Sequence, residues 1–175
     1  MLTLQQNAAK LAEALARHNV KLVFAESCTG GLAAAALTAI PGVSQWFCGS
    51  AVTYQEPTKI QWLGVDPDDL EVHSAVSVRV TRAMAKGVLE RTDQADLAVA
   101  VTGHLGPDSP QELDGKIYVV ALARTGRLAE ATLHQAELFR RNRPDRQIEA
   151  ATHVLKLTEE WVRQADPAER QEPRR

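Results

Sequence analysis

Apolar positions near the start of the chain repeat at helical spacing. Leu4, Ala8, Leu11, Leu15 and Ala16 fall on one face, which predicts an amphipathic helix over residues 3–18 with Thr3 as cap and Asn19 as stop. The pattern then changes. KLVFAE (21–26) reads as a short buried strand, and the AAAAL run beyond Gly30 and Gly31 reads as a helix ended by Pro41-Gly42. Cys48 to Tyr54 is rich in small and β-favouring residues, and Pro57 suits the first turn of a short helix through Leu63. Val76 to Leu89 predicts another helix with Ser77 near its start. ADLAVAV (95–101) is a continuous apolar run suited to a strand covered on both faces. After a loop from Thr102 to Asp114, KIYVVALA and RLAEATLHQ flank Thr125-Gly126, a hairpin signal. A last helix, about 146–163, turns Ile148, Ala151, Val154, Leu155, Thr158 and Val162 inward, and a polar tail follows for which disorder is expected. This order predicts an α/β protein: a three-layer α/β/α sandwich with a mixed central sheet, one domain over 1–164 and a tail over 165–175.

Composition narrows the classes of function. At 175 residues, 45% hydrophobic and 24% charged, the chain has the profile of one ordinary globular domain. A net charge of −2 with dispersed basic residues argues against a nucleic-acid partner. No apolar run approaches the roughly 20 residues of a spanning helix, and no signal-peptide pattern opens the chain. The expectation is a cytoplasmic protein without a membrane partner. In that setting Cys28 and Cys48 are expected to be free thiols.

The candidate chemistry lies at the predicted strand-to-helix junctions. Ser27-Cys28-Thr29-Gly30-Gly31 sits where helix N–H groups attract anions, and its glycines allow a ligand close to the backbone. Spacing leaves two roles open for Ser27: a helix cap, or a nucleophile, which needs a base. No Ser-His-Asp order is evident. Tyr54 and Lys59 flank the next junction and would reach the same sheet edge if the strands run parallel. Lys59 would then have to lose its proton near neutral pH through burial or nearby positive charge; the alternative is a solvated surface lysine. The loop 102–108 offers a third strand end, with His104 as scaffold or ligand contact. Arg140, Arg141, Arg143 and Arg146 form either a phosphate clamp or a solvated face.

Taken together, these segments resemble the CinA C-terminal domain family. The resemblance is carried by AESCTGG at 25–31, T-x-I-P-G-x-S at 38–44, V-T-Y-x-x-x-x-K at 52–59, L-G-V at 63–65 and H-x-A-V-S at 73–77. It implies a nicotinamide-nucleotide amidase, which hydrolyses the carboxamide of nicotinamide mononucleotide to nicotinate mononucleotide and ammonia without metal or cofactor. It implies Ser27 as nucleophile and Tyr54 and Lys59 as its activating pair. Thr29, Gly30, Gly31, Thr102, Gly103, His104 and Arg143 become the candidate substrate-binding residues, with Arg143 toward the phosphate or ribose. The family also tends to self-associate, so a homo-oligomer is expected.

The chain departs from the family pattern in two places. The family commonly reads T-G-I-A-G-P with a Gly-Gly-Ser stretch beyond it, where this chain has TGHLGPDSPQELDGKIY. Its F-x-G-D-R corresponds here to FRRNR. Two alternatives therefore stand beside the amidase: a nucleotide- or protein-binding module of the same fold, and an amidase for a different small amide.

Overall fold

The computed structural model describes residues 2–125, 132–140 and 142–164. Gly126 of the expected hairpin turn, the first five residues of the RLAEATLHQ run (127–131), Arg141 and the expected tail lie outside the described residues. The elements run α1 (Leu4–His18), β1 (Leu22–Glu26), α2 (Leu32–Thr38), β2 (Phe47–Val52), α3 (Glu56–Leu63), α4 (Pro67–His73), α5 (Val78–Glu90), β3 (Leu97–Gly103), β4 (Lys116–Ala123), β5 (Thr132–Glu137) and α6 (Arg143–Gln164).

Local chemistry sets several of these boundaries. Thr3 and Gln6 cap each other's backbone N–H at the start of α1, and Asn19 closes that helix in a left-handed conformation. Ser77 caps α5 by accepting from Val80 N–H. Helix α4 was not among the elements expected from the hydrophobic pattern, because seven residues are too few to show a period. Its signal is local: Asp66 accepts from Asp68 N–H, and Pro67 takes the first helical position.

The sheet has the order β2-β1-β3-β4-β5. β1 pairs in parallel with β2 and β3, while β4 is antiparallel to both β3 and β5, so the sheet is mixed, as expected. Helices α1, α2 and α6 cover one face and α3, α4 and α5 the other, giving the three-layer α/β/α sandwich. Phe24 and Leu22 point into the first layer, Val23 and Ala25 into the second, following the two-residue period of a strand. Gly87 lets α5 pass close to the end of α3, since a Cβ there would lie 1.9 Å from the Leu63 carbonyl oxygen.

Two boundaries and one inward-facing position differ from the sequence expectation. Thr102 and Gly103 end β3 rather than begin a loop. Helix α6 starts at Arg143, ahead of the expected Arg146, with Asn142 Oδ1 accepting from Asp145 N–H. Ile148 is 46% exposed; the buried face of α6 runs instead through Ala150, Ala151, Val154, Leu155, Leu157, Thr158, Trp161 and Val162. A 22-residue helix has room for a solvent-facing apolar position outside its core stripe.

Candidate active site

The parallel strands β2, β1 and β3 end side by side. Ser27 follows the last residue of β1, and Lys59 lies one turn into α3, directly beyond β2. Their side chains meet: Lys59 Nζ is 3.0 Å from Ser27 Oγ and donates to the Thr53 carbonyl at 2.7 Å. Lys59 is 1% exposed and Ser27 is buried. Burial lowers the Lys59 pKa from its ordinary value, with the Glu56 charge opposing the shift. Once neutral, the amine has two N–H groups and one lone pair. The Thr53 carbonyl takes an N–H, and the lone pair can accept the Ser27 hydroxyl proton.

The turn after Ser27 is built on Glu26. This fully buried carboxylate accepts from Thr29 Oγ1 at 2.7 Å, Ala33 N–H at 3.1 Å, Ala34 N–H at 3.0 Å and Ser50 Oγ at 3.1 Å. It fills the positive end of α2, the place where the sequence pattern alone predicts an anionic ligand. The sequence signal for this was the one carboxylate in an otherwise apolar strand, placed just ahead of a helix. Thr29 is accordingly turned onto Glu26, and the Gly30 N–H donates to the Ser27 carbonyl at 3.0 Å. Of the two glycine N–H groups expected to face a ligand, that of Gly31 remains without an acceptor among the described residues. Gly30 has φ +62, and a Cβ on it would meet Gln147 Nε2 at 2.9 Å; Gln147 in turn donates to the Cys28 carbonyl.

Cys28 and Thr102 close the floor of the site. Burial pushes the Cys28 thiol up to about 12, which leaves it protonated and a poor nucleophile beside Ser27. Gly103 packs against it: a Cβ at 103 would lie 2.6 Å from Ile117 Cγ2 and 3.1 Å from Cys28 Sγ. Thr102 Oγ1 is fully buried and 2.7 Å from Thr81 Oγ1 on α5. Thr81 is a residue the sequence reading missed, since nothing in its helical spacing marks it out.

The remaining expected residues form an outer rim. Tyr54 is 55% exposed and its hydroxyl accepts from Arg143 at 2.6 Å, so it is hydrogen-bonded to neither Ser27 nor Lys59. Arg143 also donates to the Gly106 carbonyl at 2.7 Å, linking the β2–α3 connection to the loop after β3. Arg146 forms a two-point pair with Asp114, both bonds 2.7 Å, and donates to the carbonyls of Leu105 and Arg140. The guanidinium holds the Asp114 carboxyl below its ordinary range. His104 pairs by its backbone with Lys116 and Gly115, while its Nε2 is buried with no hydrogen-bond partner among the described residues; burial lowers its pKa, with the Asp114 charge opposing. The arginine cluster thus divides: Arg143 and Arg146 are structural ties, Arg140 offers its backbone N–H to Glu149, and Arg141 lies outside the described residues.

Among the described residues no group of three His, Cys, Asp or Glu side chains could hold a metal ion, and no helix is long and apolar enough to cross a membrane.

The sequence profile of the CinA C-terminal domain matches residues 4–162. A CinA-like protein of Myxococcus xanthus is 45% identical over 113 residues, 63% of this chain and 27% of its own length. One from Mycobacterium tuberculosis is 40% identical over 143 residues, 79% of this chain and 32% of its own length. The chain therefore spans about a third or less of these relatives. Among solved structures, a competence-damaged protein (CinA) superfamily protein of Klebsiella pneumoniae matches with a TM-score of 0.85 and 25% identity, covering 93% of this chain and 99% of that one. The competence/damage inducible protein CihA of Agrobacterium tumefaciens matches at 0.81 and 31% identity, covering 90% and 96%.

Proposed function

The chain belongs to the CinA C-terminal domain family, and on that premise we propose that it is a serine amidohydrolase that releases ammonia from the carboxamide of nicotinamide mononucleotide. The observation that carries this reading is the buried contact between Lys59 Nζ and Ser27 Oγ, with the Lys59 pKa lowered by burial.

Neutral Lys59 takes the Ser27 hydroxyl proton as Oγ attacks the carboxamide carbon. The Gly31 N–H, without an acceptor among the described residues, is the candidate donor to the developing oxyanion. Lys59 then passes its proton to the amide nitrogen, the C–N bond breaks, ammonia leaves and the nicotinate mononucleotide acyl group remains as an ester on Ser27. A water molecule attacks that ester while Lys59 accepts its proton. Collapse of the second intermediate breaks the C–Oγ bond, and the proton returns to Ser27 with the acid product released.

The test is ammonia release from nicotinamide mononucleotide by the purified chain and by Ser27→Ala. Turnover by the first and none by the second is expected. Turnover retained in Ser27→Ala removes the nucleophile. Thermal stabilisation by the nucleotide without ammonia from any amide marks a binding module instead.

A further inference from the structure

Two hydrogen-bonding positions are left open on one pair of buried residues. Lys59 Nζ is 3.0 Å from Ser27 Oγ, donates to the Thr53 carbonyl at 2.7 Å and has no third partner among the described residues. As an ammonium it carries three N–H groups, which leaves one without an acceptor. The Thr53 hydroxyl is fully buried and also has no hydrogen-bond partner among the described residues. It belongs to the residue whose carbonyl already holds the amine. Buried polar groups are seldom left open, and here a donor and an acceptor are open together.

Strand register turns that hydroxyl toward the reacting face. Thr53 N–H donates to the Glu26 carbonyl at 2.9 Å, which extends the parallel ladder beyond the Val52–Glu26 pair and sets Thr53 opposite Ser27. Ala51 packs in the same core layer as Ala25, on the side of α5. Val52 faces the other way, since a Cβ on Gly31 would meet its Cγ2 at 3.3 Å. The two-residue period then gives Thr53 and Ser27 the same face, where Lys59 enters. Rotation about the Thr53 Cα–Cβ bond is the movement that brings Oγ1 toward the amine.

We infer that Thr53 is a positioning residue acting through Lys59: its hydroxyl accepts the third N–H of the ammonium formed when Ser27 gives up its proton, and holds the charged base in line with Ser27. A hydrogen bond from an ionised donor is roughly twice as strong as a neutral one, so the hydroxyl favours the charged amine. It thereby offsets part of the burial that lowers the Lys59 pKa and makes the amine a better base as the proton moves. No contact with substrate is required. The inference rests on the Ser27–Lys59 reading and adds to it the group that tunes the base.

The experiment follows fluorophosphonate labelling of Ser27 against pH in the wild type, Thr53→Val and Thr53→Ser, and needs no amide substrate. Valine keeps the branched shape and lacks the acceptor. Its labelling midpoint is expected to fall by about one pH unit, as for the loss of a hydrogen bond to a charged group. Its alkaline plateau should fall about fivefold, because a weaker base assists the attack less. The two profiles therefore converge or cross: the variant is slower at high pH and no slower well below both midpoints. Serine keeps the hydroxyl and restores midpoint and plateau. The titratable groups acting on Lys59 are Glu56 on its own helix and Cys28, whose thiol stays protonated, and these variants alter neither. A wild-type midpoint in Thr53→Val, whatever its plateau, reduces Thr53 to packing and overturns the inference. If Thr53→Val does not fold, Thr53→Ala is read in the same way. A wild type labelled on Ser27 that releases no ammonia from nicotinamide mononucleotide ends the amidase reading alone, and the profiles still decide the role of Thr53. A wild type with no Ser27 adduct overturns both readings.

Discussion

The floor of the site and its rim are held by different forces. Ser27, Lys59, Glu26, Thr81 and Thr102 are buried, anchored at the ends of parallel strands and on the helices packed over them. Their contacts stay within the core, where water competes little. The rim is formed by Tyr54, Asp114, Arg143 and Arg146, which are exposed or partly exposed and joined by long side chains reaching across 32 to 89 residues of sequence. Such pairs are screened and individually weak. The contrast suggests that the reaction is fixed by the fold, while substrate fit can change by altering a few surface ties. The departures from the family pattern fall at 104–116 and 140–148; they leave Ser27 and Lys59 themselves in place, and the one that touches the floor is Gln147, which donates to the Cys28 carbonyl.

The sharpest way to break this comparison is Lys59→Met. Activity should fall on the order of 10³-fold, the middle of the range for losing a general base. The melting temperature at neutral pH should be held or raised. A buried amine with a lowered folded pKa binds its proton more weakly than in the unfolded chain, so the wild type is penalised below that folded value and regains stability as pH rises from it toward 10.5. A large loss of melting temperature in Lys59→Met would mean that the lysine is a structural member of the floor and would blur the distinction.

Gly87→Ala tests the support beneath the floor. Its Cβ would lie 1.9 Å from a backbone oxygen of α3, the helix that carries Lys59, and overpacking of this kind costs about 3 kcal/mol. Chemical denaturation should register that loss, and the surviving folded protein should show lower kcat. A neutral result would mean that α3 and α5 can slide without consequence for the site.

The rim should answer differently. Asp114→Asn removes the charge facing Arg146 and should raise KM about tenfold with kcat within about twofold. Because the Asp114 pKa is lowered in the folded protein, the tie is present above about pH 4 and is lost as pH falls through the folded value. Tyr54→Phe removes one neutral acceptor from Arg143 and should raise KM about threefold. A selective fall in kcat in Tyr54→Phe would instead move Tyr54 from the rim to the chemistry, the role the family resemblance implies for it.

Legibility in the sequence followed the same divide. The elements that carry the floor could be read from local signals: the apolar runs of β1 and β3, the glycines after Ser27, and Pro57 ahead of Lys59. The sequence nominated Lys59 beside Ser27 only on the condition that the strands run parallel, and β1 and β2 do. Hydrogen-bond partners across the fold were not legible. Thr81 reads like an ordinary helical residue, because what it does depends on an atom 21 residues away, and of the Glu26 contacts only that with Ser50, 24 residues on, lies beyond local sequence. The arginines could be seen as a cluster, but their separation into Arg143 on Tyr54 and Arg146 on Asp114 depends on where the loops fold back. Ile148 was expected inside because periodicity marks a face without fixing its width.

The account rests on Lys59 activating Ser27, and a fluorophosphonate probe tests that without any assumption about substrate. Intact-mass and peptide mapping should find one adduct per chain, on Ser27. Its rate of formation should rise with pH to a midpoint below the 10.5 ordinary for a lysine amine, and the adduct should be lost in Lys59→Met. An adduct on another residue, or an unchanged labelling rate in Lys59→Met, would contradict it.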